Sequence, residues 1–568
     1  MSLQVVKYRI QVNANENIAG AIRVDLNSSN FSDWDKIQED NIYFEDSQGN
    51  KLYFWIEKLD KNNQKAIIWV KANIQQGIGY IYMYVGDTSY SNYNSLYDTF
   101  PLADDFQQLV DTNKWTVTNN SLIARASEII CKVDLGRPNQ AIELDETNRK
   151  IYITSYDANG NYVTRVNMDT CEVELETANA PPHPAGIDYA PDRGTLFISS
   201  GGSNTPQIYE VNPDTLEKIR SWDMTNEGYN SGALVAYKGN GQIYLFTSNT
   251  STYDFKIGLY QLNDDGTFTK IQEWSHTSLG VAQGLDYYNG ELYYLTGSQT
   301  TISKVYKLQL NDDGTITATL VATTTNYEPE GLYVSDTGIY IGNGTGVYIV
   351  KVLDKGLAIK HDTQNPNQVY SNIKFSPKTA VRSLLAMQLT FHYPGIGLGD
   401  MQTGSLVDDS HSGTGITLGN LHATDNCAYG RVGINGTETE TNGCIINDLD
   451  QYHIIEIKWL NDKVEFYEDD QLKATINSSP SIQLYAGVGV YPYATAPNHE
   501  GFFYIKWIAI YTIYDYTYSI TKITETQPPS TTPSTKKKGS VWPFVIAGVV
   551  LLFLLGGKPK KREPEKST

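Results

Sequence analysis

Five polar residues, Gln140, His183, Gln283, Glu328 and Glu330, stand just ahead of short apolar runs that recur along the middle of this 568-residue chain. Amide, imidazole and carboxyl groups gathered in one place can hydrogen-bond a polyhydroxylated ligand or hold a cation. They can equally line a channel filled with water. Three more carboxylates, Glu143, Asp188 and Asp286, take the second position of those runs, where acids cap turns or bond between neighbouring sheets. Neither set forms a catalytic or metal-binding motif. The eight histidines give no H-E-x-x-H and no pair at ligand spacing, and there is no G-x-S-x-G and no phosphate loop. No catalytic residue, metal ligand or cofactor is assigned.

An internal repeat is what would bring these residues together. Between 126 and 355 an apolar residue following a small one recurs at Ile142, Ile187, Leu234, Leu285 and Leu332, with spacings of 45, 47, 51 and 47. A second strand follows each time, at 151–153, 196–198, 243–245, 292–294 and 339–341, and a third ends in a turn such as Asn212-Pro-Asp-Thr or Asn311-Asp-Asp-Gly. Repeats near 45 residues with four strands each predict the blades of a β-propeller, here five. The fifth blade lacks its last strand, which 127–133 can supply. Closure on that strand removes two unpaired edges and puts Cys131 and Cys171 on the outermost strands of neighbouring blades. The five polar residues then surround the start of the innermost strands. The tyrosine-rich second strands resemble the propellers of archaeal and bacterial surface-layer proteins. The phrase EPEGLYV at 328–334 resembles the metal-binding turn of six-bladed lactonases, but the other ligands of such a site do not repeat.

Short strands at about ten-residue spacing from 1 to 100 predict a β-sandwich. The phrases RVDLNSSNF, IYFEDSQGNKLYFWIEKLD, AIIWVKA and YIYMYVGD there resemble an uncharacterised β-sandwich family, a domain of unknown function found in microbial surface proteins before a concanavalin-like jelly roll. Asp104-Asp105-Phe106 and Lys114-Trp115-Thr116 resemble the opening of the concanavalin-like lectin and glucanase family. YHIIEIKWL, KVEFY and FYIKWIAIY, with Trp459 and Trp507, resemble its late strands. The jelly roll is thus read as 101–125 plus 356–520, interrupted by the propeller at 126–355. Glucan-cleaving members carry E-x-D-x-x-E on one strand, a spacing that sets an acid and a nucleophile on one face. No such strand occurs between 370 and 516, which points away from an enzyme and toward a lectin-like or structural role.

The end of the chain carries a different signal. A Thr/Pro-rich stalk at 521–540 leads to 541–557, VWPFVIAGVVLLFLLGG, and a basic tail at 558–568. Seventeen uncharged residues make a helix of about 25 Å, at the short end for a bilayer core, with lysines on both sides able to snorkel. Membrane lipid is therefore a predicted partner, through one C-terminal transmembrane helix. The basic tail favours β domains outside the cell or on a virion surface, in a host membrane if viral. The start, MSLQVVKYRIQV, shows no signal-peptide core. The net charge of −20 argues against nucleic acid. Cys131 with Cys171 and Cys427 with Cys444 group as two local pairs: either disulfides, which fit an oxidising compartment, or buried free thiols. Sequons at Asn27, Asn30, Asn119, Asn249, Asn343, Asn435 and Asn477 are compatible with an outside location.

The reading is all-β: a sandwich and a jelly roll with an inserted propeller, then one membrane helix. Altogether the chain resembles an uncharacterised archaeal or archaeal-virus single-pass membrane protein. The favoured function is adhesion or recognition of a glycan or a surface protein. The alternatives are a purely structural envelope or virion component, and a carbohydrate-active or lactone-hydrolysing enzyme with its site in the propeller channel.

Overall fold

The strand Val6–Ala14 shows how the sequence writes the fold. Its residues alternate between β-branched or aromatic and polar, and Tyr8, Ile10 and Val12 are buried while the residues between them face out. A computed structural model describes residues 5–524, except 108–109, 119–122, 202–205, 229–232, 299–300, 325–327, 345–347, 361–366, 389–392, 402–412, 420–426, 450 and 492–501. Among the described residues nearly every element is a strand, the longest helix is the single turn Leu96–Thr99, and no helix is long and apolar enough to cross a membrane. The predicted membrane helix at 541–557 and the basic tail lie outside the described residues.

The N-terminal sandwich packs two sheets. One runs Lys51–Leu52, Ile42–Asp46, Gly77–Val85, Val6–Ala14, Tyr516–Ile523; the other runs Ile18–Asn27, Lys65–Ile74, Phe54–Asp60. Ile10, Val24, Phe44, Ile68 and Met83 fill the space between them. The strand Tyr516–Ile523 corrects the sequence reading, which gave 516–520 to the jelly roll and 521–523 to the stalk. It pairs with Val6–Ala14 from Lys7↔Ile523 to Ala14↔Tyr516. The physical reason is its alternation: Tyr516, Tyr518 and Ile520 pack against the sandwich core, and the strand covers what would be an open edge.

The second sandwich is assembled from both sides of the long insertion. Leu102–Asp104 pairs with Phe502–Thr512, and Trp115–Val117 pairs with Asn367–Phe375. One sheet continues through Thr379–Gln388, His453–Trp459, Val464–Glu468 and Gln471–Ile476. The facing sheet runs Thr437–Glu440, Tyr429–Ile434, Gly415–Gly419, Tyr393–Gly399, Leu484–Tyr491, Asn367–Phe375 and Trp115–Val117. Trp115, Leu398, Ile457, Trp459, Phe466 and Val488 form the core.

The insertion folds into five four-stranded antiparallel units, three of them separate sheets and the last two joined to each other at Arg125↔Thr324 and to the jelly-roll sheet. The first four begin with Asn139–Asp145, Pro184–Ala190, Ala233–Gly239 and Ala282–Tyr288, and each runs in simple sequence order. The fifth takes Pro329–Ser335, Gly338–Asn343 and Tyr348–Lys360, and its fourth strand is Ile123–Lys132, at the start of the insertion. The first strand of each sheet packs beside the first strand of the next, and that of the fifth beside that of the first, so the sheets form a closed ring. The small residue of the repeat follows from this closeness. A Cβ on Gly331 (φ +93°) would lie 2.2 Å from the Ile142 backbone nitrogen, and one on Gly284 2.8 Å from that of Leu332. The ring is not joined to the jelly roll by linkers. Ile123–Lys132 and Tyr348–Lys360 run through both, and the second pairs with Phe502–Thr512 from Leu357↔Ile505.

Candidate functional site

Four of the five polar residues meet at one end of the ring. Gln140, His183, Gln283 and Glu330 line a cavity of about 260 Å³ together with Ala185, Leu234, Ser248, Thr250, Tyr253, Val281 and Ala282. Four different sheets deliver the four residues, each just before or at the start of its innermost strand, so the ring's own periodicity makes them converge. Gln283 donates to the Gly297 carbonyl (3.1 Å) and Gln140 to that of Asn139 (2.7 Å). The His183 ring lies on Tyr156, with centroids 4.3 Å apart.

Glu328 does not line this cavity, but it is placed by the same device as His183. The segments His183-Pro-Ala-Gly and Glu328-Pro-Glu-Gly occupy equivalent places in the second and fifth sheets. Both leading residues adopt the left-handed backbone, φ 49° and 42°. Each carbonyl then accepts from a glycine past the second strand, His183 from Gly201 (2.5 Å) and Glu328 from Gly344 (2.7 Å). Glu328 still acts on the site through charge. Loss of hydration and then the Glu328 carboxylate push Glu330 well above the usual carboxyl range. Loss of hydration lowers His183. Both shifts are toward the uncharged forms. Sequence reasoning missed Asn139, which is fully buried beside Gln140 with neither side-chain polar atom hydrogen-bonded among the described residues. Only its position next to a named residue could have signalled it.

The other end of the ring opens into a wider cavity of about 670 Å³, lined by turn residues of all five sheets. Glu143, Asp188 and Asp286 lie in its floor, all buried. Asp188 accepts from the Tyr237 backbone N–H of the third sheet and Asp286 from the Val334 N–H of the fifth, each at 2.5 Å. These two acids tie neighbouring sheets together. Burial first, then mutual repulsion, raises Glu143 and Asp188 well above the ordinary range, and burial pushes Asp286 to about 7. Among the described residues no group of three or more acids, histidines or cysteines is arranged to hold a metal ion.

Among the described residues, the jelly-roll face opposite its core carries mostly small residues beside the ring pair Tyr370 and Tyr485, 5.6 Å between centroids. Ile396, Leu398, Ile416, Leu418, Ala486 and Val488 point into the core, so Gly395, Gly397, Gly415, Thr417 and Gly487 occupy the other face. The carboxylates described there, Glu438 and Glu440, are ion-paired to Arg431 at 3.3 and 3.1 Å.

Cys131 and Cys171 form one disulfide and Cys427 and Cys444 another. Cys131 lies on the fourth strand of the fifth sheet. Cys171 lies in the turn before Val173–Thr177, not on that outermost strand, because a left-handed residue (φ 58°) closes the Asn167 turn there. The bond thus staples the last sheet of the ring to the first. Of the sequons, Asn435 and Asn477 are exposed and Asn27, Asn30 and Asn249 half-exposed. Asn343 is a correction: it is 1% exposed within Gly338–Asn343, which leaves no room for a glycan. Asn119 lies outside the described residues.

Residues 38–118 match the family model described as a domain of unknown function, DUF2341. No curated protein matches the chain. Solved structures with partial likeness include a Bacillus licheniformis β-glucanase (12% identity, TM-score 0.25), which matches 28% of this chain and 81% of its own. A lichenase from a mouse hindgut metagenome (10%, TM-score 0.24) matches 29% and 83%, and LamAcat from Zobellia galactanivorans (15%, TM-score 0.23) matches 28% and 79%.

Proposed function

We propose that this chain is a surface recognition protein. On this reading the five-sheet ring is a β-propeller that takes a neutral sugar at its narrow end, and 541–557 holds the β domains to a membrane. The observation that carries it is the convergence of Gln140, His183, Gln283 and Glu330 on one cavity whose ionisable members are held toward their neutral forms. Such a surface offers amide, imidazole and carboxylic-acid groups to hydroxyls without a charge for the ligand to neutralise. The cavity, at about 260 Å³, is smaller than the roughly 300–1,000 Å³ typical of pockets for drug-sized ligands, and suits one terminal sugar unit. A binding surface of this kind requires no acid/base pair.

The test is a glycan array probed with the full chain in detergent, repeated with Gln283→Ala and Gln140→Ala. Each variant removes about one hydrogen bond, so each weakens binding about fivefold. Binding also falls as pH rises through the raised value of Glu330, where a buried negative charge appears. Unchanged affinity in both variants, or release of cleaved sugar instead of binding, refutes the reading. Flotation of the chain with liposomes, lost on deletion of 541–557, tests the membrane attachment separately.

A further inference from the structure

We propose a second saccharide site, in the cleft where the N-terminal sandwich meets the jelly roll. It does not rest on the ring reading. The cleft has a volume of about 660 Å³, and Trp55, Trp507, Tyr97, Asn94, Glu39 and Lys506 stand along it. Trp55 comes from the sandwich strand Phe54–Asp60 and Trp507 from the jelly-roll strand Phe502–Thr512. Their rings meet edge to face, 4.8 Å between centroids and 77° between planes, and Phe100 backs Trp55 at 5.7 Å. The pair is therefore fixed before any ligand arrives.

The tryptophans supply the decisive observation. Eight lie among the described residues, and six of them donate their indole N–H within the chain. Trp34 donates to the Phe31 carbonyl (3.0 Å), Trp69 to Glu57 (2.7 Å), Trp115 to Asp104 (2.9 Å), Trp222 to the Asn263 carbonyl (3.0 Å), Trp274 to that of Asn311 (2.8 Å) and Trp459 to Ser479 (3.0 Å). The two without an acceptor among the described residues are Trp55 and Trp507, and both border this cleft. Neither N–H is among the buried polar atoms without a partner, and Trp55 is half-exposed, so both donors reach the solvent of the cleft. Two such donors at one cleft suit a ligand that brings acceptors in place of water.

The rest of the lining narrows the class. A cation brings no acceptor and would meet the Lys506 ammonium. An anion would meet the exposed Glu39 carboxylate and Asp105, which takes the Tyr97 hydroxyl proton bond. A neutral saccharide suits this lining: its hydroxyl and ring oxygens accept from the indoles and from Lys506, which is also paired with Glu128 (3.6 Å), its hydroxyls donate to Glu39, and its C–H face lies on the half-exposed Trp55 ring.

Neutral oligosaccharides on an array, bound by the full chain in detergent, provide the probe, and tryptophan fluorescence titration then measures affinity for each hit. Trp55→Phe and Trp507→Phe keep a ring and remove one N–H, so each weakens binding about fivefold. Trp55→Ala also removes the platform and weakens it more than either. Ile219→Ala, exposed on the ring and outside both cavities, leaves these hits unchanged. The proposal is overturned if no neutral glycan binds, or if hits keep full affinity in both phenylalanine variants. It is overturned too if hits are lost with Gln283→Ala and retained with Trp55→Phe, a result that would leave the ring reading standing. Should Trp55→Ala fail to fold, the two phenylalanine variants, with unchanged thermal unfolding, decide the matter.

Discussion

Replacing Asp286 by Asn should stabilise the ring most above neutral pH and much less in mild acid. Asp286 is buried, accepts the Val334 N–H from the next sheet, and has its carboxyl pushed from 3.8 to about 7 by burial. A folded carboxyl that holds its proton more tightly than the unfolded one makes the native state bind more protons between the two values. Stability therefore falls as pH rises from about 4 to about 7, then levels off. The shift of roughly three units is worth up to about 4 kcal/mol at 1.36 kcal/mol per unit. Asparagine keeps an acceptor for the Val334 N–H, has nearly the same shape and cannot ionise. Its removal of charge also relieves Asp188 and Glu143, on which Asp286 acts. Differential scanning calorimetry of the full chain at pH 5 and pH 8.5 reads the effect. At about 2–4 °C per kcal/mol for a domain of this size, Asp286→Asn should raise Tm by up to roughly 8–16 °C at pH 8.5 and by only about 3–6 °C at pH 5, where roughly a third of the shift has acted. An equal change at both pH values, or a lower Tm at pH 8.5, would refute the account of Asp286 as a neutral link between sheets.

Arg382, 1% exposed, bridges Glu57 of the sandwich to Glu456 and Asp470 of the jelly roll, and Arg382→Leu leaves Glu57 and Glu456 buried without it. Breaking such a pair costs about 3–5 kcal/mol, readable as a lower urea midpoint for the unit carrying both sandwiches. The Cys131–Cys171 bond closes a 40-residue separation, so Cys131→Ser with Cys171→Ser should lose about 4 kcal/mol by loop entropy, seen as a Tm drop matched by reducing the parent chain. Gly331→Ala puts a methyl against the Ile142 backbone at a left-handed position, and is expected to open the ring and expose Ile142 and Leu332 to limited proteolysis. Gly194→Ala, at a turn with open space around it but positive φ, should cost only about 1 kcal/mol by the same assay.

The parts legible in the sequence were those set by period. Ile142, Ile187, Leu234, Leu285 and Leu332 gave the inner strands because each follows a residue small enough for close backbone approach, and that spacing carried Gln140, His183, Gln283 and Glu330 to one cavity. The strand 127–133 was legible as a closing piece for the same reason, since an incomplete sheet leaves an edge. Pairing between distant segments left no local mark. Tyr516–Ile523 alternates like any strand, and nothing in it names Val6–Ala14 as its neighbour. Trp507 read as one more jelly-roll tryptophan, yet it packs with Trp69, Phe100 and Tyr511 against the sandwich. The cleft it forms with Trp55 exists only because the two ends of the chain meet.

Charge separates the surface of this protein from its cavities. The formal charge of −20 lies in a chain whose ring cavity shifts Glu330 and His183 toward their neutral forms, and whose channel acids are raised by burial. A long-range negative field slows the approach of anions and does nothing for neutral molecules. Groups shifted to their neutral forms can bind only through hydrogen bonds and contact, which salt hardly screens. If the ring and the cleft both take neutral sugars, raising ionic strength from about 10 to 500 mM should leave both affinities within about twofold, while binding of an anionic glycan would strengthen as repulsion is screened. A steep loss of affinity with salt would instead mean that exposed charge, not the cavities, makes the contact.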